Sequence, residues 1–122
     1  MNARATGLVP MAKVLDVQRA IDFYALLGLS LRNTVKEQGK LLWAHVRCEG
    51  ADLMFSLASD SSEVGPPGVV FYLYSPDLVA LRDHLLKNGV KVSEITYPFY
   101  MTKGEICLTD PDGYTLLIGQ AG

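Results

Sequence analysis

The chain has 122 residues, 49% apolar and 20% charged, with eleven basic side chains against thirteen acidic ones and a net charge of −2. That balance offers no broad positive face to nucleic acid, and the length suits one globular domain spanning 1–122. The longest apolar stretch, Gly68 to Tyr74, is far shorter than the roughly 20 residues a bilayer span needs, so no membrane partner is expected.

From the N-terminus, Met1 to Gly7 carries no secretory apolar core, which makes a cytoplasmic protein the expectation. A strand is expected over Leu8 to Val14. Asp16 can cap the helix that follows, whose apolar side is Val17, Ala20, Ile21, Tyr24 and Leu27, and Gly28 can end it in a left-handed turn. Strands are then expected at Ser30 to Thr34, Leu41 to Arg47 and Ala51 to Leu57. Arg32, Lys36, Glu37 and Lys40 flank a hairpin and read as a solvated edge. Ser61 to Gly68, rich in glycine and proline, reads as a linker. Beyond it come a strand at Val69 to Tyr74 and a helix opening at Ser75-Pro76-Asp77 and stopping at Asn88-Gly89. Strands at Lys91 to Ile95, Glu105 to Thr109 and Tyr114 to Ile118 complete the chain, the last two joined by the turn Asp110-Pro111-Asp112-Gly113. Cys48 and Cys107 are too few for a disulfide framework or a cysteine zinc site and read as reduced residues on strands.

The order is therefore βαβββ twice, an α+β chain of module one at about 8–60, a linker at about 61–68 and module two at about 69–120. Lys13 to Leu29 and Tyr74 to Val90 superpose at a shift of 61 positions, Asp16 on Asp77 and Gly28 on Gly89. Period-two alternation sorts the strands into a helix-covered face and an open one. Trp43, His45, Arg47, Asp52, Met54 and Ser56 fall on the open side in module one. Val70, Tyr72, Tyr74, Thr115, Leu117 and Gly119, with Glu105, Cys107 and Thr109, do so in module two. Matching Gly50 to Gly113 throughout would break this alternation at His45, which implies that the turn before Gly50 is one residue shorter than its counterpart.

The paired βαβββ pattern, the Asp-capped helix running through Ile21-Asp22-Phe23-Tyr24 to Leu27-Gly28-Leu29, and the closing Asp110-Pro111-Asp112-Gly113-Tyr114 resemble the vicinal oxygen chelate superfamily. That group includes glyoxalase I, extradiol dioxygenases, fosfomycin-modifying enzymes and bleomycin-resistance binding proteins. The resemblance implies a curved mixed sheet with helices on its outer face and an open cleft, and a homodimer. In metal-dependent members each half supplies a ligand from its first and last strands, positions that fall here at Val9, Met54, Val70 and Leu117. Valine and leucine have no lone pair and a thioether is soft, so no metal and no cofactor are expected. The closest match in character is the metal-free type, binding a small aromatic or hydrophobic molecule. A lyase, transferase or dioxygenase with a displaced or absent metal site is the alternative.

Among single residues, His45 suits a general base because imidazole titrates near neutrality, though a polar residue on a half-exposed strand is the plainer reading. Glu105 is the other candidate acid or base. Trp43, Tyr72 and Tyr74 can stack on a planar ligand, or equally fill the cleft or an interface. With His45, Met54, Val70, Glu105 and Leu117 they form the candidate binding set. Glu105 and Asp52 suit a cationic ligand, or more simply ion pairs with Lys13 and Arg47. Pro98 to Thr102 is an aromatic loop that either caps the cleft or packs as a connection.

Overall fold

The computed structural model describes residues 3–65 and 68–122. Pro66 and Pro67 of the expected linker, with Met1 and Asn2, lie outside the described residues. The chain divides into two compact units, 1–63 and 64–122, and the division falls within the segment read as a linker. No helix is long and apolar enough to cross a membrane among the described residues.

Unit one runs β1 (Met11–Val14), α1 (Val17–Leu26), β2 (Ser30–Glu37), β3 (Lys40–Cys48), β4 (Ala51–Leu57), in a sheet of order β1-β4-β3-β2 with β1 and β4 parallel. β1 is shorter than the expected Leu8 to Val14 because Pro10 has no N–H to give a ladder; its carbonyl still accepts from the Met54 amide at 2.9 Å. Asp16 caps α1 by accepting from the Arg19 amide at 3.0 Å, and Gly28 takes φ 92° just past its end. The helix buries Val17, Ala20, Ile21 and Tyr24 over Val14, Ala44, Val46 and Phe55, with the Tyr24 and Phe55 rings 5.2 Å apart. Gln38 and Gly39 both adopt positive φ between the paired Glu37 and Lys40, the backbone that a two-residue hairpin needs to match strand twist, and the hairpin carries β2 on to Glu37.

Unit two runs β5 (Val70–Ser75), α2 (Leu78–Lys87), β6 (Glu105–Thr109), β7 (Thr115–Gln120), in a sheet of order β5-β7-β6 with β5 and β7 parallel. Two side chains hold the start of α2: Asp77 accepts from the Ala80 amide at 3.1 Å and Gln120 from the Leu78 amide at 2.9 Å. Leu78 and Leu85 are buried, as are Ile106, Leu116 and Ile118 of the sheet. The Asp110 carboxylate accepts from the amides of Asp112 and Tyr114, at 2.9 and 3.0 Å, and so closes the turn between β6 and β7.

The strand expected at Lys91 to Ile95 does not form; only Thr96 bridges to Glu105. The cause is competition from side chains. Arg82 Nε donates to the Ser93 carbonyl at 2.8 Å, and the Cys107 amide donates instead to Ser93 Oγ at 2.8 Å, so a hydroxyl stands where a ladder carbonyl would.

Register resolves the turn lengths. Met11 lies level with Met54, and Tyr72 with Leu117, while Arg47 faces Asp52 across four residues and the corresponding Thr109 faces Thr115 across five. These pairings align Trp43 with Glu105 and His45 with Cys107, as expected for a first turn one residue shorter than its counterpart.

Candidate functional site

Each sheet has a face its own helix does not cover. In unit one, Trp43, His45 and Arg47 of β3 lie opposite Ser56, Met54 and Asp52 of β4. His45 Nε2 is 2.7 Å from Asp52 Oδ1, and Arg47 Nε is 3.7 Å from the same oxygen. With its side chain only 14% exposed, His45 is oriented by a carboxylate rather than loose in solvent. The Trp43 ring stands edge-on to it, centroids 6.2 Å apart. Ser56 Oγ is buried without a hydrogen-bond partner. Val9 precedes β1 and is exposed, as is Met11.

In unit two, β5 presents Val70, Tyr72 and Tyr74, level with Thr115, Leu117 and Gly119 of β7; Gly119 is in turn level with Glu105 and Leu117 with Cys107. Gly119 leaves the sheet bare at that level. The Tyr72 hydroxyl passes over it, 3.1 Å from where a Cβ would stand, and the Met101 methyl fills the same space at 2.7 Å. Tyr72 thereby reaches Glu105, donating its hydroxyl proton to Oε2 at 2.5 Å. Tyr100, from the loop between α2 and β6, donates to the other oxygen, Oε1, at 3.0 Å. Glu105 is 6% exposed, and both its oxygens are satisfied by phenols.

Those bonds set the tyrosines' acidity. Donation to the Glu105 carboxylate, reinforced by burial and by the nearby negative charge, pushes the Tyr72 phenol far above its ordinary value and the Tyr100 phenol up in the same direction. Both remain protonated throughout the physiological range. Tyr72, Tyr74, Tyr100, Met101 and Leu117 line an open pocket of about 350 Å³. A larger depression, about 500 Å³, lies in unit one beside the start of α1, but its lining has no aromatic ring and no buried carboxylate. The tyrosine pocket is therefore the better candidate.

The structure brings Tyr72, Tyr74, Glu105 and Leu117 together in one unit, and Trp43, His45 and Met54 in the other. Val70 lies level with Thr115, two residues from the level of Leu117. One expectation about charge holds, with an addition, and one changes. Asp52 holds His45 as well as Arg47, and Glu105 is taken by tyrosines rather than by a cation. Tyr100 and Met101 were legible only as part of an aromatic loop; nothing in the alternation of β5 or β6 shows that Tyr72 and Glu105, 33 positions apart, share a hydrogen bond.

A model of the family described as Glyoxalase/Bleomycin resistance protein/Dioxygenase superfamily matches residues 11–118. The chain belongs to this superfamily. Solved structures of like fold include TnmS3, an antibiotic binding protein from Streptomyces sp. CB03234, at 24% identity over 100% of both chains and a TM-score of 0.74. A glyoxalase/bleomycin resistance protein from the same organism has 25% identity over 92% of this chain and 97% of that one, TM-score 0.67. A bleomycin-binding protein complexed with bleomycin has 16% identity over 97% and 100%, TM-score 0.69. No curated protein matches the chain. Membership in the superfamily raises the question of a divalent ion. The four side chains at the positions the resemblance marks do not suit one. Val9, Met54, Val70 and Leu117 supply three aliphatic groups and a thioether, and no group of three or more His, Cys, Asp or Glu side chains gathers among the described residues.

Proposed function

We propose that this chain is a single metal-free binding domain of the glyoxalase/bleomycin-resistance superfamily, cytoplasmic and homodimeric, which takes a small aromatic or hydrophobic organic molecule. The carrying observation is the tyrosine pocket of about 350 Å³, lined by three phenol rings, a thioether and Leu117, with two of the phenols donating to the buried carboxylate of Glu105. Its volume lies at the small end of ligand sites, and its lining combines apolar area with a few fixed polar atoms. The antibiotic-binding and bleomycin-binding descriptions of two structural relatives lend support. A bicyclic aromatic laid on those rings would bury roughly 200 Å², worth about 5 kcal/mol, against an association cost of about 4 kcal/mol or more. One wall is thus too weak alone, and in this reading the second subunit supplies another. Trp43, His45, Met54 and Val70 complete the proposed binding set.

The enzyme reading draws on one observation, the 2.7 Å contact between His45 Nε2 and Asp52, which fixes a ring nitrogen as an acid or base requires. The test is a thermal-shift screen of planar aromatic compounds on protein treated with chelator, with light scattering and elemental analysis of the same preparation. The binding reading expects a dimer whose melting temperature rises with an aromatic compound and is indifferent to chelation. One tightly retained ion per chain, or turnover abolished in a folded His45→Ala variant, would replace it with the enzyme reading.

A further inference from the structure

A phenol has one proton to give, and in two of the three pocket tyrosines it is already given. Tyr72 donates to Glu105 Oε2 at 2.5 Å and Tyr100 to Oε1 at 3.0 Å, so what both hydroxyls still offer a molecule in the pocket is lone pairs. Their weakened acidity keeps those protons in place. Among the described residues, no lysine, arginine or histidine lines the pocket. The nearest cation on the loop, Lys103, is turned to the Gly122 carbonyl. Glu105, 6% exposed, is felt through the phenols rather than touched, and the tilted pair of Tyr72 and Tyr74, centroids 5.3 Å apart, adds electron-rich ring faces. An anion or a pure acceptor would meet one donor, the Tyr74 hydroxyl, beside the lone pairs of Tyr72 and Tyr100 and a negative charge. An N–H donor that is also cationic would meet acceptors, π faces and that charge at once.

Resting on the binding reading above, we infer that the tyrosine pocket selects aromatic ligands that carry a protonated amine, and that Glu105 imposes this choice by holding the protons of Tyr72 and Tyr100. The buried carboxylate acts as a positioning residue: it decides which way two hydroxyls face. Selection of this kind differs from attraction by overall charge, since the chain's net charge is only −2.

The test uses the full chain and four probes sharing one phenyl ring and two-carbon arm: phenethylammonium, its N,N,N-trimethyl derivative, 2-phenylethanol and 3-phenylpropanoate. Binding is read from shifts of the Leu117 and Gly119 amide resonances. Phenethylammonium is expected to bind at least tenfold more tightly than the carboxylate and measurably better than the trimethyl compound, which keeps the charge without an N–H. Glu105→Gln, which frees a phenol proton and removes the charge, is expected to reduce the amine-over-acid ratio below threefold. The wild-type ranking decides the matter alone if that variant does not fold. Equal or better binding of the carboxylate, or of the trimethyl compound, at the same amides overturns the inference and leaves the binding reading standing. Those amides staying still with every probe and with the whole aromatic screen overturns the binding reading itself.

Discussion

Adding one methyl group at Gly119 tests whether the site is built by close approach over a bare strand. A Cβ there would lie 2.7 Å from Met101 Cε, 3.1 Å from its sulfur and 3.1 Å from the Tyr72 hydroxyl. Carbon atoms rest at about 3.5 Å or more, so Met101 must retreat by about 0.8 Å and the Tyr72 hydroxyl by a few tenths, dragging on its bond to Glu105. Overpacking of this kind costs about 1–3 kcal/mol, and the flexible thioether places Gly119→Ala in the lower half, about 1–2 kcal/mol. With a urea m-value near 1.5 kcal/mol/M, the unfolding midpoint should fall by roughly 1 M. Gly50→Ala is the control: nothing lies within 4 Å of its Cβ and its φ is outside the left-handed region, so a change within about 0.5 kcal/mol is expected. Equal midpoints for the two variants would refute the reasoning, because Met101 would then be free to leave and Gly119 would not be what lets Tyr72 cross.

Alkaline titration followed by phenolate absorbance should show Tyr72 and Tyr100 ionising above the ordinary phenol range. A phenol whose folded pKa is raised holds its proton after the unfolded chain has lost it, so its contribution to stability is complete below about pH 10 and is lost as pH rises beyond; Tyr72→Phe should flatten that loss in urea midpoints measured across the range. Asp16→Ala should cost about 1 kcal/mol by denaturation, since the Arg19 amide loses its acceptor. Phe55→Ala, at a fully buried position against Tyr24, should cost about 3–5 kcal/mol in the same assay.

Local chemistry made much of the fold legible. Asp16 and Asp77 announce helix starts, Gly28 and Gly89 their ends, and strict alternation in Ala51 to Leu57 separates Leu53 and Phe55 from Asp52 and Met54. The alternation also carried the one-residue difference in turn length, because a slip of one position would have turned His45 into the core. What failed was decided at a distance. Lys91 to Ile95 has the composition of a strand, and the arginine that claims Ser93's carbonyl lies eleven positions away on α2. The site was half visible: periodicity placed Tyr72, Tyr74, Glu105 and Leu117 on one face. That Tyr72 and Tyr100 would share the two oxygens of Glu105 depends on a bare glycine and the path of a loop, and neither leaves a periodic mark.

The hydroxyl of Ser93 also changes what the rim of β6 offers to another chain. A bare rim of β6 would offer alternating donors and acceptors to any extended segment of another chain, the template on which strand exchange and fibrous aggregation begin. Here the Cys107 amide is taken by Ser93 Oγ, the Cys107 carbonyl by the Ser93 amide, and Thr96 exchanges both bonds with Glu105. Because a side chain supplies one of these bonds, and Arg82 occupies the Ser93 carbonyl, the segment seals the rim without becoming a new template itself. The outward backbone groups of Glu105 and Cys107 are thereby withheld from strand addition at β6.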